Sequence, residues 1–526
     1  MSGHRNGGAA VVETLSAHGV EVIFGIPGTH NLELFRHLPA AGIRAITPRH
    51  EQGAGYAAEA YARVTGRPGV VVTTSGPGLT NVMTAASTAY AESQPMLVLS
   101  SGLPTGMDGH DLGQLHEAKN PLAAMNQLVR WSRRVTSADE AAAAVADAFR
   151  SFTGGRPRPV HIEVPFDVLE QEWSGVARMS TKTEAPQAVP AAIRCAADAL
   201  AAAANPMVIA GGGAVDAQAE LTGLAEALGA PVATTVNGKG VVDETHPLSV
   251  GASIRLRALQ KAAADSDALL VVGTELGDSD LWGGQIRGRT VIRCDIDSAQ
   301  LDKNCPADHT LLGDAATTLS ALSAALPKGA SANETERADA LRAACRAEAM
   351  IDGGPYVDIN AAVRAALPAD AVLCGDSSQV TYFGSVHFFD VPAPRRFCYS
   401  PGYATLGYGL PAGLGAAIGL PGTPVCVLIG DGALMFSVQE LVTLVEQRLP
   451  VPVIVVDNGG YREIRDQEAA RGIPPIGVDL RTPDLAAMAV AMGARGVRTT
   501  STADLTDLVR DALSADGPTL IHFDIR

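Results

Sequence analysis

At 526 residues the chain is too long for one ordinary core, and its length points to about three domains. Apolar residues make up 47% and charged residues 18%, the balance of a globular soluble protein, and no apolar run approaches the ~20 residues that span a bilayer. A formal net charge of −16 argues against nucleic acid or an anionic membrane as partner, since no basic face is expected to dominate.

The seven cysteines are scattered, odd in number and without a C-x-x-C pair. Reduced, mostly buried thiols are expected rather than a disulfide framework or a zinc site. The N-terminal stretch MSGHRNGGAAVVETLSAHG lacks the apolar core of a signal peptide, so a cytoplasmic location is expected.

In chain order, Ala9 to His18 reads as a helix and Glu21 to Phe24 as a strand ending in the loop Gly25-Ile26-Pro27-Gly28-Thr29-His30. A second strand, Ile43 to Thr47, leads into RHEQGAGYAAEAYAR, which places Glu51 where a helix rich in Ala and Gly begins. A lone Glu at a helix start fits a cap or a dipole partner. Val70 to Thr74 is a third strand, followed by Ser75-Gly76-Pro77-Gly78-Leu79-Thr80-Asn81 opening a helix, and Met96 to Ser100 repeats the pattern. Strands alternating with helices predict a parallel sheet covered on both faces.

Glu170 to Pro190 is polar and reads as a linker. A second α/β unit follows, with strands at Met207 to Ala210, Ala268 to Val272 and Val291 to Ile296. Its Gly211-Gly212-Gly213 turn is not G-x-G-x-x-G and is weak evidence for a dinucleotide. Residues from about 325 to 352 read as a linker or a peripheral helix. A third α/β unit starts near Tyr356, with its first strand at Ala371 to Cys374 ending in Gly375-Asp376-Ser377-Ser378-Gln379, and its last at Thr519 to Asp524.

The third unit contains the most informative stretch, VCVLIGDGALMFSVQELVTLVEQRLPVPVIVVDNGGYREIR, Val425 to Arg465. Two buried strands, Val425 to Ile429 and Val451 to Val456, flank a helical pattern with Leu441, Leu444 and Val445 on one face. The first strand ends in Gly430-Asp431-Gly432 and the second in Asp457-Asn458-Gly459-Gly460. Ligands bind beyond the carboxyl ends of such strands. One carboxylate, one amide oxygen and a backbone carbonyl are hard ligands suited to Mg²⁺, and the glycines admit a diphosphate close to the backbone.

This pairing resembles the thiamine diphosphate (ThDP) motif, Gly-Asp-Gly followed one helix and one strand later by Asn-Asn. The first Asn is replaced here by Asp457; the second, Asn458, is kept. GIPG, HEQGA, SGPGLTN and GRPRPVHIEVPFDV also match, in order, the acetolactate synthase and benzoylformate decarboxylase branch of ThDP enzymes, across nearly the whole chain. The resemblance implies an α/β fold of three doubly wound parallel-sheet domains in a pyruvate decarboxylase-like architecture. A pyrimidine-binding domain is expected over 1–170, a central domain over 190–327 and a diphosphate-binding domain over 355–526. The central domain binds FAD in some relatives; FAD is left open here and not favoured. The active site is expected between two copies of the chain, with a homodimer as the minimum and a homotetramer as the expected assembly.

The resemblance further implies Mg²⁺ on Asp431, Asn458 and the Gly460 carbonyl. It places the diphosphate near Ser378, Gln379, Gly430, Gly432 and Ala433, and other cofactor contacts at Gly76, Ala404 and Tyr461. Leu406 is expected to bend the cofactor into its V shape. Glu51 is expected to face the aminopyrimidine, where a carboxyl group favours the imino tautomer that takes up the C2 proton. His116 and His30, on loops, are candidate proton donors later in the reaction.

The implied chemistry is non-oxidative decarboxylation of a small-molecule 2-oxo acid to an aldehyde and CO2. The arginine and tryptophan with which acetolactate synthases hold a second 2-oxo acid are absent, their places falling at about Ser279 and Gln467. The Glu of pyruvate decarboxylases is Ile464 here. Glu463 and Gln467 stand i, i+4 on the helix after the metal loop and share a face. A carboxylate and an amide there suit a cationic side chain such as a guanidinium. Thr29, Asp278 and Asp280 are further candidates for the substrate. FGIPGTHNLELFRHLP, QLHEA, GTELGDSDLW and GGYREIRDQ resemble 5-guanidino-2-oxopentanoate (2-oxoarginine) decarboxylases. An acetolactate synthase-like carboligase and a decarboxylase of an apolar 2-oxo acid are the alternatives, and a non-catalytic ThDP-fold binding subunit is a third.

Overall fold

The computed structural model describes residues 5–327 and 335–526. The first four residues of the expected first domain, and 328–334 of the expected linker or helix, lie outside these.

Three parallel six-stranded sheets follow one another along the chain. The first is built from β1 (Val22–Gly25), β2 (Arg44–Ile46), β3 (Gly69–Thr73), β4 (Met96–Gly102), β5 (Ser132–Arg134) and β6 (Val160–Pro165), in the order β2-β1-β3-β4-β6-β5. The second uses β7 (Pro206–Ala210), β8 (Val232–Thr234), β9 (Ser249–Gly251), β10 (Ala268–Val272), β11 (Val291–Asp295) and β12 (His309–Leu312), in the order β12-β11-β10-β7-β8-β9. The third uses β13 (Val372–Gly375), β14 (Phe397–Cys398), β15 (Val425–Gly430), β16 (Pro452–Asp457), β17 (Arg495–Thr499) and β18 (Thr519–Asp524), in the order β14-β13-β15-β16-β18-β17. The first and third sheets therefore share one topology, and the second has the 3-2-1-4-5-6 order of dinucleotide-binding sheets.

Central strands such as β3, β4, β10 and β16 are buried at every position. Helices cover both faces, so these strands read as continuous apolar runs rather than alternating ones. Apolar side chains from strands and covering helices form the cores, such as Val70, Leu97 and Ile162 with Val145 in the first sheet and Leu428, Ile454 and Ile521 with Val363 in the third.

The chain divides into two compact units. The first comprises the chain up to Glu184 together with Leu410–Gly422 and Phe436–Leu449. The second comprises Ala185–Gly409, Thr423–Met435 and Pro450–Arg526. Two stretches from the expected third domain thus belong to the first unit. Close packing explains the small residues of helix Glu51–Thr65: a Cβ on Gly415 would lie 2.0 Å from the Ala57 carbonyl oxygen, and one on Gly55 would lie 2.3 Å from the Ala85 Cβ.

The segment from 171 to 189 contains no helix or extended strand, in keeping with a linker. The stretch expected to be a linker or peripheral helix contains helix Thr335–Gly353, which buries Cys345 and Ala349 against the second sheet's core. None of the seven cysteines is in a disulfide, and only Cys195 is exposed. No helix among the described residues is long and apolar enough to cross a membrane.

Candidate functional site

In the first unit, four of the expected site residues gather beyond the strand ends. Glu51 is the first residue of helix Glu51–Thr65, capped by His50, whose Nδ1 accepts the Gln52 N–H at 3.1 Å. Asn81 Nδ2 donates to Glu51 Oε2 at 2.9 Å. Gly78 lies against the other carboxylate oxygen, its notional Cβ 3.3 Å from Oε1. Gly76 has φ +60, and a Cβ there would strike the His116 carbonyl oxygen at 2.5 Å, so only glycine fits this turn. His30 Nδ1 lies 2.6 Å from Ser75 Oγ, and its ring is 5.2 Å from that of His116. Burial, and then the charge of His116, holds the His30 pKa below its ordinary value. Thr29 is exposed at the tip of the same loop.

A further carboxylate fixes the approach to Glu51. Glu440 is fully buried, and its oxygens accept the backbone N–H groups of Arg49 at 3.0 Å and His50 at 3.1 Å. Its hydroxyl partner is Thr443, at 2.8 Å. A Cβ on Gly53 would meet Glu440 Oε1 at 2.5 Å. Burial raises the Glu440 pKa, and the N–H groups of Arg49 and His50 pull it back.

In the second unit, the ends of β13, β15 and β16 converge. The expected helix after the Gly-Asp-Gly turn is broken into Asp431–Leu434 and Glu440–Glu446, the latter in the first unit. Asp431 Oδ2 accepts the Gly460 N–H at 2.8 Å and the Thr482 hydroxyl at 3.0 Å. Its Oδ1 is buried and has no hydrogen-bond partner among the described residues. Burial and the neighbouring charge of Asp457 raise the Asp431 pKa. A buried carboxylate with an unpartnered oxygen is costly unless a cation meets it.

Asn458 donates through Nδ2 to Tyr356 Oη at 3.1 Å and to Gln379 Oε1 at 3.2 Å, leaving its carbonyl oxygen as the end for another partner. Gly460 has φ +102, and a Cβ there would lie 2.6 Å from the Val478 carbonyl oxygen. Its own carbonyl faces the Gly432 turn. One carboxylate, one amide oxygen and one carbonyl fit Mg²⁺ rather than a soft metal. Among the described residues, no group of three or more His, Cys, Asp or Glu side chains could hold a metal.

The turns around this centre leave little room for a side chain at their glycines. A Cβ on Gly430 would lie 3.0 Å from Ser378 Cβ, and one on Gly432 would lie 3.0 Å from the Tyr461 ring. Ala433 is buried behind them. Such a cradle of close backbone fits a diphosphate. Ala404 (φ 51) and Leu406 lie on the loop before helix Gly409–Gly419. Asp457, which departs from the motif, binds His522 Nε2 at 2.9 Å with both side chains buried.

Glu463 stands on helix Arg462–Ala470. Its Oε2 accepts from Gln379 Nε2 at 3.1 Å and from the Tyr382 hydroxyl at 3.3 Å. Its Oε1 accepts from Gln467 Nε2 at 3.0 Å. Gln379 therefore bridges Asn458 and Glu463, with both ends of its amide engaged by protein side chains. Trp282 packs its ring 5.8 Å from both Tyr382 and Phe383. Asp280 stands on the short helix Asp278–Leu281 that Trp282 closes, and Asp278 is engaged in its own turn, accepting the Gly283 N–H at 3.0 Å.

Sequence reading missed Asn81, Asp376, Glu440, Thr482, Tyr356 and Tyr382. Asn81 and Asp376 carried a signal, one closing SGPGLTN and the other lying in the strand-end turn Gly375-Asp376-Ser377; the others are defined by partners far away in the chain.

The chain matches three family profiles: thiamine pyrophosphate enzyme, N-terminal TPP binding domain, over 5–128; the central domain, over 193–322; and the C-terminal TPP binding domain, over 376–523. It is 41% identical to a probable 2-ketoarginine decarboxylase of Pseudomonas aeruginosa, covering 98% of this chain and 93% of that protein. It is 32% identical to a probable acetolactate synthase large subunit of Methanocaldococcus jannaschii, covering 98% and 91%. Against the acetolactate synthase isozyme 1 large subunit of Escherichia coli it is 29% identical, covering 98% and 93%.

Proposed function

We propose that this chain, which belongs to the thiamine pyrophosphate enzyme family, decarboxylates a 2-oxo acid with a cationic tail, 5-guanidino-2-oxopentanoate being the favoured substrate. The observation that carries the substrate is Glu463. Its carboxylate is joined through Gln379 to Asn458, so an anionic group stands one side chain away from the proposed metal ligand. A guanidinium pairs with a carboxylate through parallel hydrogen bonds. The 41% identity to a probable 2-ketoarginine decarboxylase supports the same reading.

In this reading Asp431 Oδ1, the Asn458 amide oxygen and the Gly460 carbonyl hold Mg²⁺. The backbone of Gly430 and Gly432, with Ser378, receives the diphosphate. When bound, ThDP supplies the electron sink for loss of CO2. Glu51 holds and moves a proton at Oε1, while Asn81 fixes its other oxygen. His30 and His116 stand close enough together to share a later proton transfer. A homodimer is the minimum assembly and a homotetramer the expected one, in the cytoplasm.

The test is CO2 release across a panel of 2-oxo acids with ThDP and Mg²⁺ supplied. Preference for 5-guanidino-2-oxopentanoate over pyruvate and benzoylformate is expected. Preference for an apolar aromatic acid would overturn the guanidinium reading and leave the cofactor reading standing. Acetolactate formed from pyruvate would favour the carboligase, in line with the relatives at 29–32% identity that are named acetolactate synthases.

A further inference from the structure

Asp376 is a fully buried carboxylate at the end of β13. Among the described residues it has no cationic partner. Backbone N–H groups surround it instead. Gly407 N–H donates to Oδ1 at 3.2 Å and Oδ2 at 3.1 Å, Gly409 N–H to Oδ2 at 2.8 Å, and Ser377 N–H to Oδ1 at 2.8 Å. The Tyr408 N–H is a further donor. A buried charge without a counter-ion is costly, and donors on this scale are what make it tolerable. Burial pushes its pKa up to about 7, and these N–H groups oppose the shift.

The donors fall on two loops. Ser377 begins the Ser377-Ser378-Gln379 turn, which carries proposed diphosphate contacts. Gly407, Tyr408 and Gly409 immediately follow Leu406. The Leu406 loop is tight: Ala404 has φ 51 and Gly407 has φ 88. Its outer side is exposed at Tyr403 and Ala404, while a Cβ on Gly409 would lie 3.0 Å from the Gly375 carbonyl oxygen. The loop is therefore drawn inward by its backbone just after Leu406, at the point where Asp376 collects its N–H groups.

We propose that Asp376 is a positioning residue for the cofactor, setting the place of Leu406 by gathering the N–H groups of residues 407–409 onto the turn that carries Ser378. This rests on the reading of Leu406 as the residue that bends ThDP. Asp376 touches neither the substrate nor the cofactor in this account; it acts through Leu406. An error of about 1 Å in the placement of a reacting group costs up to ~10²-fold in rate. Asp376 thus has a catalytic consequence without a catalytic contact.

The experiment is a double-mutant cycle on the full chain with ThDP and Mg²⁺, comparing Asp376→Asn, Leu406→Ala and the double variant. The readouts are ThDP affinity by calorimetry, the exchange of the C2 proton of bound ThDP with D2O by NMR, and the melting temperature of the cofactor-free protein. Asp376→Asn is expected to slow C2 exchange roughly 10–100-fold. Leu406→Ala slows it similarly, and the double variant is no slower than Leu406→Ala alone, because one residue acts through the other. Multiplying effects would overturn the proposal, as would undiminished exchange in a folded Asp376→Asn protein when Leu406→Ala is slow. Undiminished exchange in Leu406→Ala would instead sink the reading of Leu406. Should Asp376→Asn fail to fold, Asp376→Ser, which keeps one acceptor oxygen in a smaller side chain, takes its place with the same expected outcomes.

Discussion

Glu440 Oε1 accepts the backbone N–H of His50 at 3.1 Å, a bond between residues 390 positions apart in the chain. His50 caps the helix that Glu51 opens, so this buried carboxylate fixes the backbone from which the proposed acid–base group projects. Glu440→Gln replaces one acceptor with an N–H₂ donor facing other N–H groups. Turnover is expected to fall roughly 10–100-fold with ThDP affinity nearly kept. Initial rates and calorimetry on the same preparation check this; full turnover in the variant would exclude a positioning role.

Glu51→Gln keeps the shape of the side chain and removes its acidic proton. The fold and Mg²⁺-dependent ThDP binding should survive. Turnover should fall by ~10²–10⁴-fold, the usual contribution of one placed acid–base group. Steady-state kinetics beside a thermal melt separate the two, and wild-type turnover would refute the assignment.

Glu463→Gln addresses substrate choice. A charge-assisted bond is worth about 1.5–3 kcal/mol, equivalent to roughly 10–100-fold in kcat/KM. That loss is expected for a guanidinium-bearing 2-oxo acid and not for a neutral one of similar length. Equal losses on both substrates would show that Glu463 serves the site's architecture, through Gln379 and Tyr382, rather than the substrate.

Stability should depend on pH through Asp376. Its folded pKa of about 7 lies above the ordinary 3.8, so the folded protein holds this proton more tightly than the unfolded chain. The contribution to stability is full below about 3.8 and is lost as pH rises through about 7, at a slope of up to ~1.4 kcal/mol per pH unit. Asp376→Asn removes that slope. Urea unfolding of both proteins between about pH 5 and 8 should therefore give curves that diverge in the variant's favour as pH rises. Parallel curves would contradict the assigned titration.

The central sheet has a dinucleotide-binding strand order, yet its switch point between β7 and β10 is filled by backbone. Gly213 N–H donates to the Gly273 carbonyl at 2.9 Å, and a Cβ on Gly213 would lie 2.8 Å from Gly273 Cα. The helix after the glycine turn starts only at Gln218, so its N-terminus is not aimed from the turn. Purified protein is expected to show no flavin absorbance and no change in melting temperature on adding FAD. A co-purifying flavin band would reverse this.

The longer, largely buried strands were the most legible in the sequence. β10 and β18 match the apolar runs Ala268 to Val272 and Thr519 to Asp524 residue for residue. The strands left unread include β5, β9, β12, β14 and β17, all at sheet edges. An edge strand pairs on one side only and needs little apolar surface; β17, Arg-Gly-Val-Arg-Thr, has no buried residue. The helix expected after Gly-Asp-Gly was legible as a pattern, but its interruption between Leu434 and Glu440 was not.

The sequence by itself determined the family and marked the positions proposed to bear its chemistry: Asp431, Asn458 and Gly460 at strand ends, and Glu51 at a helix start. Those signals are local, because a glycine turn and the strand or helix beside it are written in adjacent residues. Tertiary structure alone decided what holds them. Asp376 and Glu440 looked like ordinary polar residues in the chain. Their roles come from which N–H groups and side chains folding brings onto them, and burial makes those few hydrogen bonds decisive because water cannot replace them.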